Sequence, residues 1–90
     1  MTSPNHHALD PLRRCADALN VALQSEKPAI VTAMVLAARA DLQRLAGEEG
    51  EATAGRLAHL SEGLRQIDRA ARAGQSHQAR LVLAHWRKSL

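Results

Sequence analysis

The sequence predicts an all-α protein: an antiparallel up-and-down four-helix bundle with a disordered N-terminal tail. Three observations predict it. The strong helix formers Ala, Leu, Arg, Gln and Glu dominate, and β-branched residues are few. Apolar residues recur at spacings of three and four in four separate stretches. Turn signals rich in Pro, Gly and Ser separate those stretches. With 90 residues, 46% of them hydrophobic, the chain suffices for one domain with a core but little surplus. The expected organisation is a flexible tail over 1–9 and a single helical-bundle domain over 10–90.

Each element follows from its own residues. Asp10-Pro11 starts the first helix, with Asp10 as cap and proline in the first turn, where its missing N–H costs nothing. That helix runs to about Gln24, with Leu12, Cys15, Leu19 and Leu23 on one face and Ala16 and Ala22 beside them. Ser25-Glu26-Lys27-Pro28 breaks the pattern, Ser25 capping a second helix that continues to about Ala46. Its buried stripe is Val31, Met34, Val35, Ala38, Leu42 and Leu45. Gly47 suits the left-handed position past a helix end, and 47–55 reads as a loop.

The third helix is the clearest, with Leu57, Leu60, Leu64, Ile67 and Ala71 forming a heptad-like seam. Gly74 ends it, after Arg69 and Arg72, which suit the negative end of the helix dipole. Ser76 caps a short fourth helix holding Ala79, Val82, Leu83, Trp86 and Leu90. Short turns make successive helices antiparallel neighbours. Many facing positions are alanine, so the helices must approach closely or leave an apolar face open for a partner or a second copy.

Charge and composition exclude several classes. A formal charge of +3 does not by itself imply nucleic acid. One cysteine excludes an internal disulfide and fits a reducing cytosol. No apolar run is long enough to span a membrane, and the start lacks the basic and apolar regions of a signal peptide, so a cytoplasmic protein is expected. Arg outnumbers Lys ten to two and alanine is abundant, a composition common in GC-rich bacteria.

The candidate sites are few. Taking Leu57 and Leu60 as seam positions puts His59 and Glu62 on the outer side of the third helix. Arg65, Arg69 and Arg72, at i, i+4 and i+7, form a basic stripe on one outer face of that helix, and Arg80, Arg87 and Lys88 add charge on the fourth. The stripe reads as a solvated face or as a surface for an acidic partner. Nucleic-acid sites interleave aromatics or present a recognition helix, and neither is visible. Trp86 reads as a large piece of the core, or as an interface residue, where Trp is enriched. Cys15 lies on an apolar stripe and reads as a buried small hydrophobe. His6 and His7 are adjacent in the tail, and His77 and His85 are eight apart. No carboxylate or cysteine joins them at ligand spacing, so no metal is expected. No nucleophile is paired with an orienting base, so no enzyme and no cofactor are expected.

Two family resemblances bear on function. Residues 25–47, with Arg39-Ala40-Asp41-Leu42-Gln43-Arg44-Leu45, and the later stretches 64–72 and 79–90, resemble FliT- and FlgN-type flagellar export chaperones. That resemblance implies a non-enzymatic binder of a secreted subunit, its last helix covering or forming the binding surface. His59-Leu60-Ser61-Glu62-Gly63 resembles the His-x-x-Lys-Gly signature of histidine phosphotransfer (HPt) domains, with Glu62 in place of the lysine. It implies His59 as phosphoacceptor and Gly63 as the residue that clears space beside its ring. In a second register, 64–86 resembles the last hairpin of such a domain. The acceptor position then falls near Ala38 to Asp41, where Arg39 is the nearest polar residue.

The leading expectation is a protein-binding module, chaperone- or adaptor-like, that holds a client helix in an apolar groove. Its partner would be another protein, such as a secretion or signalling component. Arg65, Arg69, Arg72, Arg80, Trp86 and Arg87 are the candidate contact residues. The alternatives are a degenerate or His59-based phosphotransfer domain and a basic regulator that touches nucleic acid.

Overall fold

The computed structural model describes residues 9–49 and 51–90, with the side chains of 49 and 51–54 left aside. Helix α1 covers Asp10–Gln24, α2 Pro28–Glu49, α3 Glu51–Arg72 and α4 Ser76–Lys88. Each helix packs on the next, and α4 closes the ring against α1. This is the expected up-and-down four-helix bundle. Helices α2 and α3 have 22 residues each against 15 in α1 and 13 in α4. The α2–α3 hairpin therefore outreaches the other two, and the longest dimension is 41 Å. No helix of the described residues is long and apolar enough to cross a membrane.

The predicted stripes meet in one core. Leu12, Leu19 and Leu23 from α1, Val31 and Leu42 from α2, Leu60, Leu64 and Ile67 from α3, and Leu83 from α4 are its largest closed-off side chains. Ala16, Ala38, Ala71 and Ala79 fill the facing positions, where a small residue lets two helix backbones approach. Cys15 and Met34 are half-buried, on the edge of the core. Leu9, placed in the tail by composition, is instead a core residue and the N-cap of α1. The rest of that tail, 1–8, lies outside the described residues.

Two turns of the same type set the hairpins. At 25–27, Glu26 N–H donates to the Leu23 carbonyl and Lys27 N–H to that of Ala22. At 73–75, Gly74 N–H donates to Ala71 and Gln75 N–H to Ala70. Both are Schellman motifs, in which one left-handed residue caps the last carbonyls. That residue is Gly74 (φ 76°) in one turn and Glu26 (φ 54°) in the other.

Several boundaries differ from the sequence expectation. Asp10 and Ser76 are the first helical residues rather than side-chain caps, and Ser25 is the C-cap of α1. The expected loop at 47–55 is helical up to Glu49 and again from Glu51. Gly47 and Gly55 lie within helix, because Ala46, Glu48, Ala54 and Arg56 beside them are good helix formers, and a helical glycine costs only about 1 kcal/mol.

Candidate functional site

Helix α2 carries more apolar side chains than one buried face requires. Val31, Val35, Ala38, Leu42 and Leu45 serve the core, yet Ile30 is 41% and Leu36 60% exposed. A helix that is apolar nearly all round normally has neighbours nearly all round. Here open grooves flank α2 on both sides instead.

The groove on the α1 side holds about 370 Å³ and is lined by Ala18, Val21, Ala22, Ile30 and Met34, with Ser25 and Lys27 at its turn end. Val21 is 60% exposed. The short side chains of Ala18 and Ala22 keep the floor low, and the longer ones form the walls.

The groove on the α3 side holds about 570 Å³ and has a different chemistry. Thr32, Val35, Leu36 and Arg39 come from α2, and Arg65, Asp68, Arg69 and Arg72 from α3. Asp68 is its buried polar node, its side chain 11% exposed. The Thr32 hydroxyl donates to Asp68 Oδ1 at 2.6 Å, and Arg72 Nη2 donates to Oδ2 at 2.7 Å. The Thr32 bond ties α2 to α3 at this level, and the Arg72 bond, within α3, adds a second charge-assisted partner to the same carboxylate. Arg39 Nε donates to Ser61 Oγ at 3.2 Å, and Arg65 Nη1 reaches Glu62 at 3.3 Å. Arg69 is exposed and has no side-chain partner among the described residues.

A third groove, between α3 and α4, contains His59, Glu62, Gly63, Gln66 and His85 beside the edge of Trp86. His59 is exposed. Gly63, which the phosphotransfer resemblance assigns to the histidine ring, faces the indole: a Cβ there would stand 2.6 Å from Trp86 Cδ1. Trp86 is 3% exposed, and its Nε1–H donates to the Leu60 carbonyl at 2.8 Å. Trp86 is thus a core residue rather than part of an open contact surface, since only the interior offers the indole both a partner for its N–H and a flat apolar bed. No three His, Cys, Asp or Glu side chains converge among the described residues.

The basic residues named from the sequence fall in different places. Arg87 pairs with Asp17 at 2.6 Å and so joins α4 to α1. Arg13 and Arg56, from α1 and α3, donate to the main-chain oxygens of Leu90 and Ser89. These three arginines and Trp86 dock α4. Arg80 stands exposed on α4 and lines none of the three grooves. Arg65, Arg69 and Arg72 do share one groove, joined there by Arg39 from the facing helix. Helical spacing links residues on one helix only, so no signal in the sequence tied Arg39 to that stripe. Comparison with protein-family models, with curated proteins and with solved structures finds no match to this chain.

Proposed function

We propose that the protein is a non-enzymatic binding module, chaperone- or adaptor-like, that holds an amphipathic helix of another protein in the apolar groove between α1 and α2. One observation carries the proposal. Two of the four large apolar side chains exposed among the described residues, Val21 and Ile30, line this one groove. Grouped apolar side chains on a small surface mark interaction sites more often than single ones do. A helix laid along the α1–α2 groove would place residues spaced i, i+3, i+4 and i+7 against Val21, Ile30 and Met34. The resemblance to FliT- and FlgN-type chaperones points the same way. The single cysteine accords with a cytoplasmic site of action.

The test is affinity capture from a bacterial lysate with the wild-type chain and with Val21→Asp and Ile30→Asp. The expected result is one stoichiometric protein that survives high salt and is lost in both variants, while helical content is unchanged. Capture that is indifferent to both substitutions would remove this groove from consideration. Phosphotransfer is the second reading, favoured by the exposure of His59. It requires an acid-labile mass gain with a phosphodonor, abolished in His59→Ala.

A further inference from the structure

The α2–α3 groove concentrates the charge of the chain. Its lining holds four guanidiniums against one carboxylate, a surplus of three. The whole chain carries a formal charge of +3, so the remaining residues balance. Arg65, Arg69 and Arg72 form a row along α3 that spans about 10 Å at ~1.5 Å per residue, and Arg39 faces that row from α2. Much of their donor capacity is unspent. Arg39 uses Nε on Ser61, which leaves its two terminal nitrogens. Arg72 uses Nη2 on Asp68. Arg65 holds Glu62 only at 3.3 Å, with both side chains about half exposed. Arg69 has no side-chain partner among the described residues. Like charges that line one groove repel one another. An anion in the groove would relieve the repulsion and meet the free forks bidentately.

The groove is not purely basic. Leu36, 60% exposed, stands as an apolar side chain beside the arginine row, with the buried Val35 beneath. A sugar–phosphate backbone would leave Leu36 uncovered. No aromatic side chain lines the groove to stack a base, since Trp86 is interior. A single small anion would reach only part of the row. An acidic amphipathic segment satisfies both parts, with carboxylates spaced along the row and an apolar side chain on Leu36.

We infer that the α2–α3 groove is a second binding site, separate from the α1–α2 groove, that takes the carboxylates of an acidic segment of a partner protein on Arg39, Arg65, Arg69 and Arg72. Electrostatic complementarity of this kind sets which partner is accepted and speeds its arrival.

The experiment uses three labelled probes at low salt, read by fluorescence anisotropy against the full chain. They are a helical peptide with Glu at i, i+4 and i+7 and Leu on the adjoining positions, its Glu→Gln counterpart, and a single-stranded DNA oligonucleotide. The Glu peptide is expected to bind at least about tenfold more tightly than the Gln peptide. Arg39→Gln and Arg69→Gln should each weaken it by about tenfold at unchanged helical content. Leu36→Asn should weaken both peptides. Ile30→Asp should leave the Glu peptide unaffected, which separates this site from the α1–α2 groove: capture of a client can fail while the peptide binds, and the reverse. The inference is overturned if the Glu peptide does not bind, if the Glu and Gln peptides bind equally, or if the arginine variants bind as the wild type does. DNA binding more tightly than the Glu peptide through the same arginines would also overturn it, in favour of a nucleic-acid site.

Discussion

Gly63 on α3 and Trp86 on α4 occupy one volume between them. The indole lies where a side chain at 63 would begin, with Cδ1 2.6 Å from the position of an added Cβ. The hydrogen bond from Nε1 to the Leu60 carbonyl holds the ring in that place, one helical turn before the glycine. The close approach of α4 to α3 thus depends on a missing side chain.

Gly63→Ala is therefore expected to destabilise the protein. Alanine ordinarily gains up to about 1 kcal/mol over glycine inside a helix. Overpacking a filled site costs about 1–3 kcal/mol, and Trp86 cannot retreat without losing its bond to Leu60. The clash outweighs the propensity, and a loss near 1 kcal/mol would lower Tm by about 4–8 °C for a domain of this size. Gly47→Ala and Gly55→Ala meet nothing within 4 Å and should gain the propensity term alone. Thermal unfolding of the three variants checks this. A stabilised Gly63→Ala would mean that the indole is free to shift.

The two Schellman turns differ in the residue at the left-handed position, and that difference predicts opposite responses. A side chain with φ near +55° costs roughly 1–2 kcal/mol. Glu26 (φ 54°) bears that cost, and Gly74 (φ 76°) does not. Glu26→Gly should gain about 1 kcal/mol, reduced somewhat by the greater freedom of glycine in the unfolded chain. Gly74→Ala should lose about 1 kcal/mol, although open space surrounds it. Urea midpoints measure both. Equal and small effects at the two sites would show that the turns tolerate either residue.

The two turns also show what was legible in the sequence. Gly74 could be placed at a helix end because glycine reports its backbone state, whereas Glu26 gave no such sign. The buried stripes were legible for the same kind of reason: periodicity within one helix fixes which face is apolar, so Leu60, Leu64 and Ile67 could be assigned to the core. Pairing across helices is set by how each helix is rotated about its axis and which neighbour it meets. No local spacing encodes that. The sequence therefore showed the row of Arg65, Arg69 and Arg72 but not Arg39 opposite it. It set Gly63 beside His59 in the chain, while the fold sets it against Trp86.

The carboxylate of Asp68 is the polar link between α2 and α3, and its two donors should count unequally. Thr32 donates to it from a partly buried position at 2.6 Å. A hydrogen bond to a charged group of this kind contributes about 1.5–3 kcal/mol, and removing the donor leaves a desolvated carboxylate oxygen. Thr32→Val keeps the shape and removes the donor, so a loss in that range is expected. The Arg72 side chain is 65% exposed, and its contact competes with water. Arg72→Gln should cost no more than about 1 kcal/mol. Chemical denaturation at neutral pH compares the two. A larger loss in Arg72→Gln than in Thr32→Val would show that the ion pair, not the hydroxyl, holds the carboxylate.

Cys15 supplies a prediction about pH. Its Sγ lies half-buried on α1, 3.8 Å from the Met34 carbonyl of α2. Burial, and secondarily the carboxylate of Asp41, push its thiol above the ordinary value of 9.0. The folded chain thus holds this proton more tightly than the unfolded chain does. The resulting stabilisation is complete below the ordinary thiol value and is lost as pH rises through the raised folded value. Urea midpoints of the wild type should therefore fall more steeply than those of Cys15→Ala as the pH is taken from neutral to above 9.0. Below that range the two should run parallel, because the thiol is protonated in both states of the wild type. Alkylation follows from the same cause. The thiolate is the nucleophile, so folded protein should react more slowly than the chain in urea at the same pH. Parallel pH profiles over the whole range, together with equal alkylation rates, would show that the thiol meets water as freely in the bundle as in the unfolded chain.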